Sequence, residues 1–321
     1  MEDAAVEEVL EQALAAVAVP RPGVGQTAAR HRALHDVARD NPVWVARLAE
    51  GHADALAILA EADRSPVPGA RYGVWASQGT LEVDGARDGA AEPGAATTGV
   101  TVSGVKPFCS GLGILDRALV TAQSAAGTVL LDVAVTPGPS VGIDTSGWHS
   151  PALAKSATGT LTLSAHPVDA IVGPPGWYLS RPGFWHGACG PAACWAGATA
   201  ALVERAEAMA GEDPHRRAHL GAMRAAAWAL SALLERAGEE IDIAPDDVNA
   251  AERRAQSLRH VVERTCTDVL DRFGRALGPR PYVGDAGVAS RVADIHLYLR
   301  QHHAERDLEA LGRAASLGAH G

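Results

Sequence analysis

The chain has 321 residues, of which 47% are hydrophobic and only 4% aromatic, and its formal net charge at pH 7 is −10. A nucleic-acid-binding domain needs a basic face to replace the counterions of phosphates, so this acidic balance argues against a nucleic-acid partner. Four cysteines without a Cys-x-x-Cys pair, in a chain of this length, argue against a disulfide scaffold.

The N-terminal residues predict a cytoplasmic protein. They are acidic, whereas a secretory signal begins with a basic region. No apolar run approaches the roughly 20 residues that span a bilayer. We therefore expect no membrane partner.

Three helices are predicted before residue 65. Apolar residues recur at helical spacing over 2–18, and two more helical stretches follow over 28–40 and 42–62. The Asn41-Pro42 pair is a start signal, since Asn is a good cap and Pro suits a first helical turn. We assign residues 1–64 to a short helical N-terminal region.

A change of pattern near Ser65 predicts a β-rich domain over 65–180. This stretch is rich in Gly, Pro, Thr, Ser and Val, and short alternating runs are bounded by turn residues. Such runs are typical of an antiparallel sheet or barrel. The runs are RYGVWAS (71–77), GTLEVDG (79–85), GVTVSGVKPF (99–108), RALVTAQ (117–123), GTVLLDVAVT (127–136) and GTLTLSAHPV (159–168). The segment 85–99 is predicted to be a mobile loop.

Helical periodicity returns over 181–321. Asp213-Pro214 starts one long helix by the cap-then-proline rule, and another follows Pro245. Both helices carry apolar residues spaced by three and four, which favours a bundle packed at shallow crossing angles.

The order of these parts resembles the acyl-CoA dehydrogenase family. Gly104, Lys106, Phe108 and Ser110, followed by a Val-rich strand at 119–120, are similar to the family's Gly-x-Lys, aromatic and Ser/Thr pattern. The stretches 147–176 and 275–312 also resemble the family, and the likeness covers about residues 42–313. It implies an α+β multidomain fold with a helical N-terminal region, a central antiparallel β-barrel and a C-terminal four-helix bundle. The N-terminal helical region is about half the family's usual length.

The resemblance implies FAD as cofactor and assigns residues to it. The family's Ser/Thr hydrogen-bonds the reactive edge of the flavin, and that role falls to Ser110, with Phe108 near the ring. Trp75 and Ser77 stand where the family has a flavin-contacting loop, and Trp75 could stack on the ring. The alternatives are a core tryptophan at Trp75, a turn residue at Ser110 and a core residue at Phe108.

Two further sets of residues were considered for the ligand. The first is His215, Arg216 and Arg217, which lie near the family's missing pyrophosphate-binding segment, although arginines at a helix start are usually solvated. His186 and Cys189 lack a fourth metal ligand, which favours helix packing and no metal site.

The candidate catalytic residue is His302. Aligning the family's Arg-Asp pair with Ala293-Asp294 places His302 about where a dehydrogenase has its carboxylate base, and histidine can act as a base near neutral pH. Related monooxygenases of this fold also have a histidine in this neighbourhood and need no such base. The plain alternative is an exposed polar pair, His302 and His303.

Three functions remain open at this point. The first is α,β-dehydrogenation of acyl-CoA or another small molecule, with an electron-transfer partner. The second is a two-component flavin monooxygenase served by a flavin reductase, and the third is a non-catalytic relative that has lost flavin. The family's habits imply a homodimer or homotetramer.

Overall fold

The computed structural model describes residues 2–85, 99–209 and 211–318, with side chains described from residue 7 to residue 313 within these ranges. The chain forms two compact units. The helical unit comprises Met1–Glu50, Pro151–Leu153 and Trp185–Gly321, and the sheet unit comprises Gly51–Ser150 and Ala154–Phe184. Most of the loop predicted over 85–99 lies outside the described residues.

The described residues contain eleven α-helices and eight strands. The helices are α1 (Glu2–Ala16), α2 (Thr27–Asp40), α3 (Val43–Glu61), α4 (Trp177–Ser180), α5 (Pro182–Gly187), α6 (Cys189–Ala208), α7 (Pro214–Ile243), α8 (Val248–Leu277), α9 (Arg280–Gly284), α10 (Ala286–Tyr298) and α11 (Glu305–Gly318). The strands are β1 (Tyr72–Trp75), β2 (Glu82–Asp84), β3 (Thr101–Cys109), β4 (Arg117–Ser124), β5 (Gly127–Ala134), β6 (Val141–Asp144), β7 (Gly159–Pro167) and β8 (Ala170–Val172). Short 3₁₀ turns span Ala154–Ser156 and Leu299–Gln301.

The helical unit is built around four packed helices, α2, α6, α7 and α8, in which α6 and α7 each contact the other three. One of them comes from the N-terminal region, so this group is not made by the C-terminal segment alone, as the family resemblance had implied. Glycines allow the close approach of α2. A Cβ on Gly197 of α6 would lie 1.9 Å from the carbonyl oxygen of His35, and one on Gly238 of α7 would lie 2.4 Å from the nitrogen of Ala28.

The helix starts and stops follow the sequence signals closely. The Asp213 carboxylate accepts hydrogen bonds from the backbone N–H groups of His215 (2.8 Å) and Arg216 (2.9 Å), which caps α7 as expected. Asn41 has a different role from the predicted one. Its side-chain amide donates to the carbonyl of Val37 (3.0 Å), so it closes α2.

The sheet unit contains one eight-stranded sheet. Its order is β6-β7-β3-β2-β4-β5-β8, and β1 pairs with β4. The six predicted runs correspond to β1–β5 and β7, whereas β6 and β8, with four and three residues, were missed. Across the described residues β6 and β8 are the outer strands, so the sheet is not closed there and the predicted barrel is not confirmed.

Two strand pairings are parallel, which corrects the antiparallel prediction. β1 and β2 both lie along β4, with Tyr72–Trp75 opposite Arg117–Val120 and Glu82 opposite Gln123. The alternation that predicts a strand says nothing about the direction of its neighbour. The remaining ladders are antiparallel.

Both faces of the central strand β4 are buried. Ala118, Val120 and Ala122 belong to one apolar cluster, while the intervening Leu119 belongs to another, because successive side chains of a strand point to opposite faces. The second cluster includes Ile58 from the end of α3. None of the described helices combines the length and the hydropathy of a membrane span.

Candidate functional site

The end of β3 carries an unusual residue. Phe108 has φ +60° and is 71% exposed. A left-handed backbone costs a residue other than glycine about 1–2 kcal/mol, and a large exposed ring regains little of this by burial. The strand register also shifts between Lys106 and Cys109 against β7. The backbone at Phe108 is therefore strained, and burial of the ring does not offset the strain.

Side chains and main chain hold this segment in place. Ser77 donates its hydroxyl hydrogen to the carbonyl of Pro107 (2.7 Å), and the Trp75 indole N–H donates to the carbonyl of Ser110 (3.0 Å). The backbone N–H of Gly111 donates to the carbonyl of Ser156 (2.7 Å). Phe108 and Ser110 are thus presented by a well-anchored turn.

Three hydroxyl groups form a chain behind this turn. Ser110 Oγ lies 2.9 Å from Thr158 Oγ1, which lies 2.9 Å from Ser156 Oγ. Thr158 and Ser156 are buried, whereas Ser110 is half-buried. Because a hydroxyl can both donate and accept, Ser110 can hydrogen-bond either a donor or an acceptor on a ligand.

Trp75 lies inside the sheet unit's core. It is 4% exposed and belongs to the larger apolar cluster. Its indole N–H donates to the carbonyl of Ser110, so Trp75 holds the backbone of Ser110 in position. Ser77 is half-buried and acts on the same turn.

His302 and His303 have opposite surroundings. They lie between the 3₁₀ turn and α11, where His302 is 6% exposed and His303 is exposed. The backbone N–H of Ala304 donates to His302 Nδ1 (3.0 Å). A neutral imidazole with Nδ1 accepting carries its hydrogen on Nε2, so Nε2 is a donor.

The surroundings of His302 favour its neutral form. Burial lowers the pKa of His302, the Arg259 guanidinium lowers it further, and the carboxylates of Asp307 and Glu263 raise it less. His260 lies beside it, with ring centroids 5.7 Å apart. With Nδ1 engaged and Nε2 protonated, this imidazole is arranged to donate a hydrogen bond.

Asp294, which corresponds to the Asp of the family's Arg-Asp pair, has a structural role. Its carboxylate accepts from the backbone N–H of Leu153 (2.7 Å) and from the hydroxyl of Ser290 (3.4 Å). Burial raises the pKa of Asp294, and these hydrogen bonds oppose that rise. Arg291, one turn earlier, donates to the carbonyl of Asn41 (2.9 Å).

The other candidates from the sequence also have protein partners. Arg216 Nε donates to the carbonyl of Ala276 (3.1 Å), and Arg217 Nε donates to that of Gly211 (3.2 Å). His186 and Cys189 are buried. Among the described residues, no three His, Cys, Asp or Glu side chains gather as a metal site.

Sequence reasoning missed a polar cluster inside the helical unit. Arg259 Cζ lies 4.8 Å from the Trp195 ring centroid, and Arg47 Cζ lies 5.4 Å from that of Tyr298. Burial lowers the pKa of both arginines. No signal of it was present in the sequence, since the apolar stripe of α8 continues through Leu258 and Val262 past Arg259.

Comparison with known proteins gives a likeness of fold. No family model and no curated protein matches the sequence. KijD3, solved with FMN and dTDP-3-amino-2,3,6-trideoxy-4-keto-3-methyl-D-glucose, is 17% identical with a TM-score of 0.72, over 90% of this chain and 79% of that chain. Dibenzothiophene monooxygenase TdsC from Paenibacillus sp. A11-2 is 17% identical with a TM-score of 0.72, over 88% and 81% of the two chains.

A third solved structure agrees with these two. Methanesulfinate monooxygenase MsuC from Pseudomonas fluorescens is 16% identical with a TM-score of 0.68, over 90% of this chain and 82% of that chain. TdsC has also been solved with FMN bound. Together these likenesses show that the chain shares the fold of these three proteins.

Proposed function

We propose that the chain is a flavin-dependent oxidoreductase of the monooxygenase type, acting on a small molecule. The observation that carries this proposal is the anchored turn that exposes Phe108 beside the half-buried hydroxyl of Ser110. Two of the structures that share the fold are named monooxygenases, and structures of KijD3 and TdsC contain FMN.

The residues of this turn fit a flavin. The isoalloxazine ring offers a flat apolar face and an edge of nitrogen and oxygen atoms, so it needs an apolar contact and adjustable hydrogen-bonding groups. The exposed ring of Phe108 can supply the contact, and the Ser110 hydroxyl can either donate or accept. When bound, a flavin supplies electron and hydride transfer and, once reduced, reactivity toward dioxygen.

The protein's own residues act by binding and orienting. Ser110 holds the polar edge of the ring system, and Thr158 fixes the direction of the Ser110 hydroxyl from behind. Trp75 and Ser77 bind main-chain carbonyls of the same turn, so they act through Ser110 and Phe108. Such anchoring keeps a binding group in place before its ligand arrives.

The state of His302 favours oxygenation over acyl-CoA dehydrogenation. Dehydrogenation at an α,β bond needs a base for the α-proton. The Nδ1 atom of His302 accepts from Ala304, and its Nε2 atom carries the hydrogen. We therefore propose His302 as a hydrogen-bond donor to a substrate or intermediate, which a monooxygenase can use. A flavin reductase is the proposed partner.

The proposed flavin is FMN, with FAD as the second candidate. FMN is the flavin in the structures of KijD3 and TdsC. Arg216 and Arg217, considered for the pyrophosphate of FAD, donate to backbone carbonyls of their own unit. This supports the shorter nucleotide.

We also propose a homodimer formed through α7. Trp228 is 76% exposed, and Gly221, Ala225 and Ala232 lie on the same exposed face at spacings of four, three and four residues. Exposed apolar faces of this kind mark protein interfaces. In an antiparallel pairing centred on Trp228, Arg217 lies opposite the partner's Glu239, because each is eleven residues from position 228.

Flavin titration tests the cofactor proposal. The absorption spectrum of the purified chain and the quenching of flavin fluorescence on adding FMN, FAD and riboflavin should show tightest binding of FMN. Ser110→Ala should weaken FMN binding about five- to tenfold, the size of one lost hydrogen bond. The matched control is Ser164→Ala, which removes an exposed hydroxyl from β7 of the same sheet.

Turnover then separates the three functions. A monooxygenase should leave acyl thioesters unreacted under anaerobic conditions and should consume dioxygen only with an external reductase. Bleaching of the bound flavin by an acyl thioester would instead support dehydrogenation. A colourless protein that neither binds nor is stabilised by any flavin would identify a non-catalytic relative, since a ligand of the native state must raise its stability.

A further inference from the structure

The helical unit contains a group of hydrogen-bond donors, which we call the donor cluster: the buried Trp195, Tyr298 and His302 and the half-buried Arg47 and Arg259. The rings of Trp195 and Tyr298 meet edge to face, with centroids 6.0 Å apart. One guanidinium lies over each ring, Arg259 over Trp195 and Arg47 over Tyr298. Arg259 connects this group to His302, since its Nη2 donates to the carbonyl of the preceding Gln301 (2.8 Å).

Three members of the donor cluster have a donor with no nitrogen or oxygen acceptor in hydrogen-bonding geometry among the described residues. They are the indole N–H of Trp195 (0% exposed), the hydroxyl of Tyr298 (1% exposed) and Nε2 of His302 (6% exposed). Each buried polar group left unsatisfied costs about 1–3 kcal/mol, and such groups are rare in folded proteins. The polar groups nearest to two of them are poor acceptors for this purpose. The Cys194 thiol lies beside the Tyr298 hydroxyl, and Asp307 Oδ2 is 3.9 Å from His302 Nε2.

The charge of Arg259 is also without an ion-pair partner. Its guanidinium donates to the carbonyls of Ala188 (2.9 Å) and Gln301 (2.8 Å), and no described carboxylate lies within 4.0 Å of it. Glu50 and Asp307 act on it only from a greater distance. A guanidinium has five N–H groups, so Arg259 keeps further donors for a ligand.

We propose that the donor cluster binds the oxyanion group of a small-molecule ligand, such as a phosphate, sulfonate or carboxylate. An oxyanion has acceptors only and can accept several hydrogen bonds at once, so its chemistry matches a group of indole, phenol, imidazole and guanidinium donors. A water molecule accepts at most two hydrogen bonds, so it would leave at least one of these donors without an acceptor. The site belongs to the helical unit alone and stands whether or not the chain binds flavin.

Inorganic phosphate is the probe for this site. Calorimetric titration of the full chain at pH 7, in a buffer of matched ionic strength, should show saturable binding. Tyr298→Phe removes one donor and keeps the ring, so we expect the Kd to rise about five- to tenfold. Trp195→Phe is the second variant. Tyr282→Phe, in the same unit but outside the cluster, is the control and should leave the Kd unchanged.

Thermal unfolding supplies an independent readout. Because the group beside the Tyr298 hydroxyl is a thiol, a weak acceptor, Tyr298→Phe should not lower the Tm in phosphate-free buffer. Phosphate and sulfate stabilise most proteins without binding them, so the informative quantity is the difference between the wild-type and Tyr298→Phe shifts. The proposal is overturned if phosphate produces no saturable heat, if all variants bind it equally, or if Tyr298→Phe lowers the phosphate-free Tm more than Tyr282→Phe does.

Competition between inorganic phosphate and FMN distinguishes two sources of the oxyanion group. If the group is the phosphate of FMN, phosphate should displace FMN, and FMN should bind more tightly than riboflavin by a factor that Tyr298→Phe removes. If it belongs to a separate anionic substrate, phosphate should bind equally well to the FMN-loaded and FMN-free protein.

Discussion

Lys106 is a buried cation that hydrogen-bonds to β4 in the gap between its two parallel neighbours. β1 pairs with β4 up to Val120 and β2 pairs with β4 at Gln123, so Thr121 lies between the two pairings. Lys106 Nζ donates to the carbonyl oxygen (2.8 Å) and to Oγ1 (2.7 Å) of Thr121. Its ammonium group therefore replaces a strand neighbour at this point.

Lys106 makes stability depend on alkaline pH. Burial lowers the pKa of Lys106 from 10.5 to about 8, so between these values the unfolded chain binds more protons than the native one. Stability then rises with pH across this window, by up to about 3 kcal/mol from this group. We expect urea unfolding from pH 8 to 10.5 to show that the free energy of unfolding of the wild type rises relative to that of Lys106→Met. Parallel pH profiles of the two proteins would contradict this.

The same comparison separates Lys106 from its neighbour. Burial raises the pKa of the Cys109 thiol to about 12, which makes stability fall as pH rises above 9. Because Lys106 lowers the pKa of Cys109, replacing the lysine also changes this opposite effect, so the comparison is repeated in a Cys109→Ala background, where the effect is absent.

His31 predicts the behaviour in acid. Burial lowers the pKa of His31 to about 4, and its Nδ1 donates to the carbonyl of Leu234 (2.9 Å). Between pH 6.5 and 4, His31 binds a proton in the unfolded chain but not in the native chain. The free energy of unfolding therefore falls as pH decreases toward 4, by up to about 3 kcal/mol. His31→Asn keeps a donor and does not titrate. We expect a shallower acid loss in urea titrations of this variant, and an unchanged slope would show that His31 is not responsible.

At the scale of elements, close contacts bring α2 between α6 and α7. Gly197 and Gly238 leave no room for a Cβ against the backbone of α2. The Asp242 carboxylate of α7 also accepts from the backbone N–H of Thr27 (2.9 Å), at the start of α2. These contacts make a helix of the N-terminal region part of the four-helix group.

Gly197→Ala tests the α2–α6 contact. The added Cβ would lie 1.9 Å from the carbonyl oxygen of His35, so one helix must shift, and overpacking of this kind costs about 1–3 kcal/mol. The matched control is Gly51→Ala in the middle of α3, where a Cβ meets nothing within 4 Å. The control should gain up to about 1 kcal/mol from helix propensity. Chemical denaturation of both variants measures the contrast, and equal changes would refute a tight contact at Gly197.

At the scale of the whole molecule, the proposed homodimer depends on Trp228. Trp228→Glu places a charge at the centre of the exposed face of α7, and desolvating it in the interface should reduce the dimer to a monomer. Size-exclusion chromatography with light scattering gives the mass directly. Val283→Glu changes an 85% exposed valine of the same unit and should leave the mass unchanged. A wild-type monomer would end the dimer proposal.

Some of the candidate site was predictable and some was not. Phe108 and Ser110 stand out in the sequence because they follow a recognisable Gly-x-Lys pattern. Thr158, which supports Ser110, lies 48 residues away and carries no such signal. It reaches Ser110 because β3 and β7 pair with Cys109 opposite Gly159, and that register is a property of the folded sheet.

His302 and His303 show the same division within one dipeptide. The sequence makes them equivalent neighbours, yet one is buried and the other exposed. The cause is the turn after α10, which brings His302 Nδ1 to the backbone N–H of Ala304. A difference of this kind depends on a chain turn that periodicity does not encode.

The sequence by itself determined the features that depend on neighbours along the chain. These are the long helices, the cap at Asp213 and six of the eight strands, because periodicity and capping act within a few residues. Only the tertiary structure decided that α2 joins the C-terminal helices, that β1 and β2 run parallel to β4, and that the buried donors gather around Arg259. Each of these joins residues far apart in sequence, where packing and strand register determine the contact and local pattern carries no information about it.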